Sequence, residues 1–131
     1  MKLIIAGWIA IGLALLWDRV LYFCGVNETL RVGILAPLGE EFLKWGVSFY
    51  YQLSPLFLYA FFGLGEGIYE LIHSNKPLKW FLVPAGVLQH TAFGTFFLFK
   101  MPVWLSLSLA IVSHLFWNGM ILRRHSWRRF K

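Results

Sequence analysis

Glu40, Glu41 and Lys44 lie inside an apolar stretch long enough to cross a bilayer, and this constrains the fold more than any other feature of the chain. A charge at the centre of a spanning helix costs about 2.5–3.5 kcal/mol on insertion scales, so three together must face protein or water. Helical spacing lets them meet. Lys44 follows Glu40 by four residues and Glu41 by three, so its ammonium reaches either carboxylate on one face. The group is either a buried ion-pair staple between helices or a working site.

The composition describes the surroundings. Hydrophobic residues make up 59% of the 131 and charged residues 14%, against about 25% charged in soluble domains. That length suits a single membrane-embedded domain over residues 1–131. Cys24, the lone cysteine, excludes an internal disulfide and cannot alone form a thiolate metal site. The net charge of +6 does not point to nucleic acid, because five of the twelve basic residues fall in the last nine positions. Such a cluster is a membrane-surface and topology signal.

Hydropathy and turn residues predict an all-α, polytopic transmembrane helix bundle of about five spans. The first covers residues 3–23, with Asp18 and Arg19 near its far end as interfacial residues rather than a pair. Lys2 before an apolar run imitates a signal peptide, but no small-residue cleavage pattern follows, so the span is read as retained. Asn27 caps the second span, residues 29–52, in which Pro37 and Gly39 predict a kink or a broken helix just before the charged cluster. The third, residues 55–73, places Glu66 and Glu70 one turn apart and offers Gly63 and Gly67 as a small-residue packing edge. Residues 74–79 form a polar loop. The fourth span, 80–99, holds His90, and the fifth, ending near residue 122, holds His114 and Asn118 one turn apart. A basic tail follows from Arg123.

Five spans put the termini on opposite sides. The side holding Arg31, Lys76, Lys79 and the basic tail far outweighs the side holding Lys2 and Lys100. The positive-inside rule then predicts an inner-membrane protein with its N-terminus outside and its C-terminus cytoplasmic.

Four of the six acidic residues, Glu40, Glu41, Glu66 and Glu70, fall inside predicted spans. Counting about 1.5 Å per residue from the cytoplasmic ends, Glu40, His90 and His114 lie roughly 12–15 Å deep, Glu66 about 10 Å, and Glu70 and Asn118 roughly 5–6 Å. Polar groups on four helices therefore converge on one layer. A carboxylate with two imidazoles can polarise water, stabilise an oxyanion or hold a divalent metal with an open position. Glu40, His90 and His114 are the candidate ligands for such a metal. Asn118 can donate to a developing oxyanion or serve as a helix-packing amide.

Read in order, Glu40-Glu41-Phe-Leu-Lys44 matches an EExxK motif. Gly63-Leu-Gly followed by Glu70, the lone His90, and His114-Leu-Phe-Trp-Asn118 complete an ordered set on successive helices. The set resembles the PrsW-type intramembrane proteases, a family related to the type II CAAX prenyl endopeptidases and the bacteriocin-processing self-immunity proteins. The resemblance covers about residues 36–119. It implies a helical membrane endopeptidase, glutamate- or metal-dependent, that hydrolyses a peptide bond of a membrane-protein or membrane-bound peptide substrate. By this resemblance Glu40 is the general base and Glu41 its partner, His90 and His114 polarise the water or the scissile carbonyl, Asn118 helps at the oxyanion, and Glu70 completes the site. Lys44 and Glu66 support it, although Glu66 stands where an apolar residue is expected. The cofactor is then a divalent metal such as zinc or none at all. Two other classes use the same residues: a non-catalytic immunity or scaffold protein on this fold, and a small proton or metal-ion transporter. The absence of internal repeats speaks against the transporter.

Overall fold

The computed structural model describes residues 1–73 and 79–129, with residues 121–129 as backbone only. The described residues are helical almost throughout and contain no strand. In chain order the elements are α1 (Lys2–Phe23), a short α2 (Glu28–Leu30), a π-helical turn (Arg31–Leu35), α3 (Ala36–Tyr51), α4 (Pro55–His73), α5 (Leu82–Gly94) and α6 (Val103–Arg129). One-turn 3-10 segments flank α5 at Lys79–Phe81 and Thr95–Leu98. Four stretches are long and apolar enough to cross a membrane: Lys2–Phe23, Pro55–His73, Lys79–Leu98 and Val103–Met120. This is the architecture of a polytopic membrane protein. Most of the polar loop expected at 74–79 lies outside the described residues, as do the side chains of the basic tail.

The charged segment is built differently from the other four. By itself α3 has only 16 residues, but the residues joining it to α2 keep right-handed helical angles, so 28–51 run as one rod. Asn27 starts the rod by accepting a hydrogen bond from the Leu30 amide at 3.1 Å, the role expected of an N-cap. The expected disturbance before the cluster takes the form of the π turn. There the Ala36 amide bonds to the Arg31 carbonyl, a spacing of five residues. The next bond in that register would run from residue 37 to the Val32 carbonyl, but Pro37 has no N–H to give.

Tight closures keep neighbouring helices antiparallel. At the end of α1 the Val26 amide returns to the Leu21 carbonyl at 3.1 Å, with Gly25 in the left-handed region at a φ of 72°. At the end of α3 the Leu53 amide returns to the Ser48 carbonyl at 2.9 Å, with Gln52 at a φ of 53°. Both are Schellman-type ends, and Gln52 adopts without glycine a backbone conformation that glycine takes at no steric cost.

The core has two parts. Ala6, Ala10 and Ala14, spaced one turn apart on α1, pack against Val47 of α3 and against Leu58 and Phe62 of α4. The bodies of α4 and α5 come closest at their glycines. A Cβ on Gly86 would sit 2.6 Å from the Gly63 carbonyl oxygen, and one on Gly67 would sit 2.6 Å from the Val83 Cα. Close backbone approach of this kind drives helix association in lipid, where apolar burial supplies little. Tyr59, Phe93 and Ala110 form the second cluster and join α4, α5 and α6 beside the buried charges.

Candidate site: a buried polar network across four helices

Lys44 is the hub. It is completely buried, as are Glu41 and His90, and His114 is 1% exposed. The Lys44 ammonium donates to Glu41 Oε1 at 2.5 Å and to His90 Nδ1 at 3.1 Å. It also lies 4.7 Å from the Tyr59 ring centroid and 4.6 Å from that of Phe62, where ring faces attract a cation. The spacing in sequence allows either glutamate; the fold pairs Lys44 with Glu41.

The same Glu41 oxygen accepts from His114 Nδ1 at 2.7 Å. On the far side, His90 Nε2 bonds to the Glu66 carboxylate. The connected order is therefore His114, Glu41, Lys44, His90, Glu66, drawn from α6, α3, α5 and α4. Donor and acceptor roles follow from the partners. An ammonium can only donate, so His90 Nδ1 accepts and the ring proton sits on Nε2, facing Glu66. The His114 Nδ1–H donates to Glu41, which leaves Nε2 facing Glu40. Aromatic edges fix both rings: His90 meets Phe62 and Phe93 at centroid distances of 5.2 and 5.8 Å, and the two imidazoles are 5.4 Å apart at nearly a right angle.

Glu40 stands outside this chain. Its side chain is one-fifth exposed, and its Oε2 lies 3.9 Å from His114 Nε2 with no hydrogen-bond partner among the described residues. Glu41 Oε2 and the Tyr59 hydroxyl are also buried without partners among them. Two adjacent glutamates thus occupy different environments, Glu41 held by two donors in the core and Glu40 at its edge with an oxygen to spare.

Asn118 has another task. Its Nδ2 donates to the Val32 carbonyl at 3.0 Å, the oxygen that Pro37 leaves without an amide. Of the two roles open to Asn118, this contact is the helix-packing amide, and it mends the π turn. On the other wall of the rod, Trp17 donates its indole N–H to the Leu35 carbonyl at 2.8 Å and rests over Gly39, where any Cβ would collide with the ring.

Glu66, Glu70, Gln89, Trp117 and Asn118 line a cavity of about 230 Å³, with Gly67 and Gly86 among its small residues. Glu40, Glu41, His90 and His114 meet beside it and are not among its lining residues. The metal set expected from the sequence, Glu40 with His90 and His114, does not fit this geometry. His90 spends both nitrogens on protein partners and has an ammonium against one of them. No group of three or more His, Cys, Asp or Glu residues among those described is arranged to hold a metal ion.

Sequence reasoning missed several contributors. Asp18, read as a lone interfacial residue, pairs with Arg31 at 2.5 Å. The two lie at similar distances either side of the turn at Gly25, so an antiparallel pair of helices brings them level; that was the available signal. Tyr59 and Phe62 gave none, because an aromatic inside an apolar span looks the same whether it meets lipid or an ammonium. No family model, curated protein or solved structure matches this chain.

Proposed function

We propose that this chain is an intramembrane endopeptidase in which Glu40 activates water. The observation that carries the reading is the Glu40–His114–Glu41 arrangement. Glu41 accepts the His114 Nδ1–H at 2.7 Å and so turns Nε2 toward the partner-free Glu40 Oε2, 3.9 Å away. A carboxylate that fixes the tautomer and orientation of a working imidazole is a recurring element of hydrolytic sites. A separation of 3.9 Å also suits a water hydrogen-bonded to both atoms.

In this mechanism Glu40 takes a proton from that water while His114 Nε2 accepts a hydrogen bond from the other water hydrogen. The water oxygen adds to the scissile carbonyl carbon, and the carbonyl electrons move to its oxygen. The proton on Glu40 then passes to the departing nitrogen, the C–N bond breaks, and the products are a carboxylic acid and an amine. Glu41 and Lys44 do not touch the substrate; they hold His114. Membrane-bound peptides are the substrates that can reach a site at this depth. The protein sits in the inner membrane with its basic C-terminus in the cytoplasm, as the distribution of Lys and Arg supports. The ordered EExxK, Gly-rich, His and HxxxN motifs, similar to those of PrsW-type proteases, favour the same reading.

The second reading is a purely structural staple, favoured by the complete burial of Glu41, Lys44 and His90. Purified protein in liposomes, presented with a panel of single-span peptide substrates, separates the two. The wild type is expected to cleave at least one substrate, Glu40→Gln to lose about 100-fold or more, and Glu28→Gln, at the exposed start of α2, to be silent. A folded wild type that cleaves nothing leaves the staple; one that cleaves nothing and carries protons or metal ions is a transporter.

A further inference from the structure

Glu66 is an intramembrane carboxylate that the peptidase mechanism leaves without a role, and its position is specific. We propose that Glu66 is a positioning residue: through His90 it holds Lys44 on Glu41 and so sets the direction of the His114 ring that faces Glu40. The kinetic part of this proposal rests on the peptidase reading; the structural part does not.

Lys44 has three N–H bonds and no lone pair. One goes to Glu41 and one to His90 Nδ1, and the aromatic faces of Tyr59 and Phe62 take the rest of its charge. Because Nδ1 accepts, the ring proton of His90 must sit on Nε2, and a buried N–H needs an acceptor. His90 is completely buried, and its ring is enclosed by Phe62, Phe93 and His114. Among the described residues its Nε2–H meets a single acceptor, the carboxylate of Glu66. Glu66 itself reaches out from the packed core: its side chain is 41% exposed and lines the cavity of about 230 Å³. It thus anchors the cavity end of a chain whose other end is His114.

Without an acceptor at position 66, the His90 N–H gains by turning toward the cavity. That turn withdraws Nδ1 from Lys44, and the ammonium then has one fixed partner in place of two. The Glu41 oxygen that Lys44 and His114 share is no longer held from both sides, so the His114 ring loses its fixed direction. A carboxamide at 66 still offers an oxygen to the His90 N–H, whereas a leucine offers none. The proposal therefore separates Glu66→Gln from Glu66→Leu, two changes of similar bulk that both remove the charge.

The test is 15N NMR of histidine-labelled protein in detergent micelles, with resonances assigned through His90→Gln and His114→Gln variants. In the wild type His90 is expected as a single tautomer with its proton on Nε2. Glu66→Leu should abolish that single pattern and also shift the His114 resonances, although residue 66 makes no hydrogen bond to His114. Glu66→Gln should restore both. With a cleavable substrate, Glu66→Leu should lower kcat by about tenfold to a hundredfold, the scale on which outer partners of a working histidine act, with KM within about twofold. A wild-type His90 carrying its proton on Nδ1 would overturn the proposal, as would a Glu66→Leu variant with both histidine patterns intact. A raised KM at unchanged kcat would make Glu66 a substrate contact instead. If the wild type cleaves nothing, the peptidase reading fails while the NMR result still decides the role of Glu66.

Discussion

Lys44–Glu41 and Arg31–Asp18 are both acid–base pairs between neighbouring side chains of this bundle, and they are served very differently. They have the same separation, 2.5 Å, but the first pair is fully buried while the second has side chains 17% and 32% exposed. The buried pair has gathered two imidazoles, a second carboxylate and two aromatic faces around it. The pair near the rim makes do with one bond and the Tyr22 ring, 5.6 Å from the Arg31 guanidinium. The difference teaches what burial demands. Coulomb attraction alone does not offset the loss of solvent around two ions, so a buried pair persists only where further hydrogen bonds satisfy it. The partly exposed pair keeps a single ion-pair bond, with Arg31 Nε enclosed without a partner among the described residues.

The contrast between core and rim can be attacked most directly at Lys44. Replacing Lys44 by Met strips Glu41 and His90 of their shared donor, and breaking a buried pair in this way costs about 3–5 kcal/mol. Unfolding of Lys44→Met in mixed micelles with rising SDS should show that loss; a variant within about 1 kcal/mol of wild type on the same scale would mean that the network does not hold the bundle. The next effect is steric rather than electrostatic. Gly86→Ala puts a methyl against the Gly63 carbonyl, where overpacking costs about 1–3 kcal/mol, while Gly46→Ala, whose Cβ meets nothing within 4 Å, should stay within about 0.5 kcal/mol of wild type.

Smaller effects sharpen the picture of the rod itself. Asn118→Leu removes the donor to the Val32 carbonyl and should cost about 1 kcal/mol, the scale of an interhelical hydrogen bond in a membrane. Faster amide exchange confined to the π turn should accompany it, and exchange unchanged there would separate Asn118 from the missing Pro37 amide. Among the polar replacements Asp18→Asn should cost least, about 0–1 kcal/mol. A loss there equal to that of Lys44→Met would erase the distinction between core and rim.

The helices and the gathering of charge are legible in the sequence because apolar runs of bilayer length with carboxylates inside them have few solutions. Matched depth along the spans is enough to bring His90 and His114 level with Glu40 and Glu41. The partner chosen by Lys44 is not legible, since three- and four-residue spacings on a helix are both reachable and only the approach of His114 from α6 favours Glu41. Nor is the task of Asn118, which depends on the hydrogen-bond register of a π turn at Arg31–Leu35. Pro37 announces a disturbance without saying which carbonyl it orphans. Whether the polar groups enclose a cavity or pack against one another depends on how Tyr59, Phe62 and Phe93 fill the space between helices, and residue order does not encode that.

Glu40 and Glu41 adjoin in sequence, yet the first carries the proposed chemistry and the second the architecture. Measuring cleavage and unfolding side by side for Glu40→Gln and Glu41→Gln tests that division directly. Glu40→Gln should unfold with the wild type and lose about 100-fold or more in cleavage. Glu41→Gln should lose several kcal/mol of stability, because it leaves the Lys44 ammonium buried without a carboxylate. Wild-type cleavage by Glu40→Gln, or a Glu41→Gln protein as stable as the wild type, would contradict it.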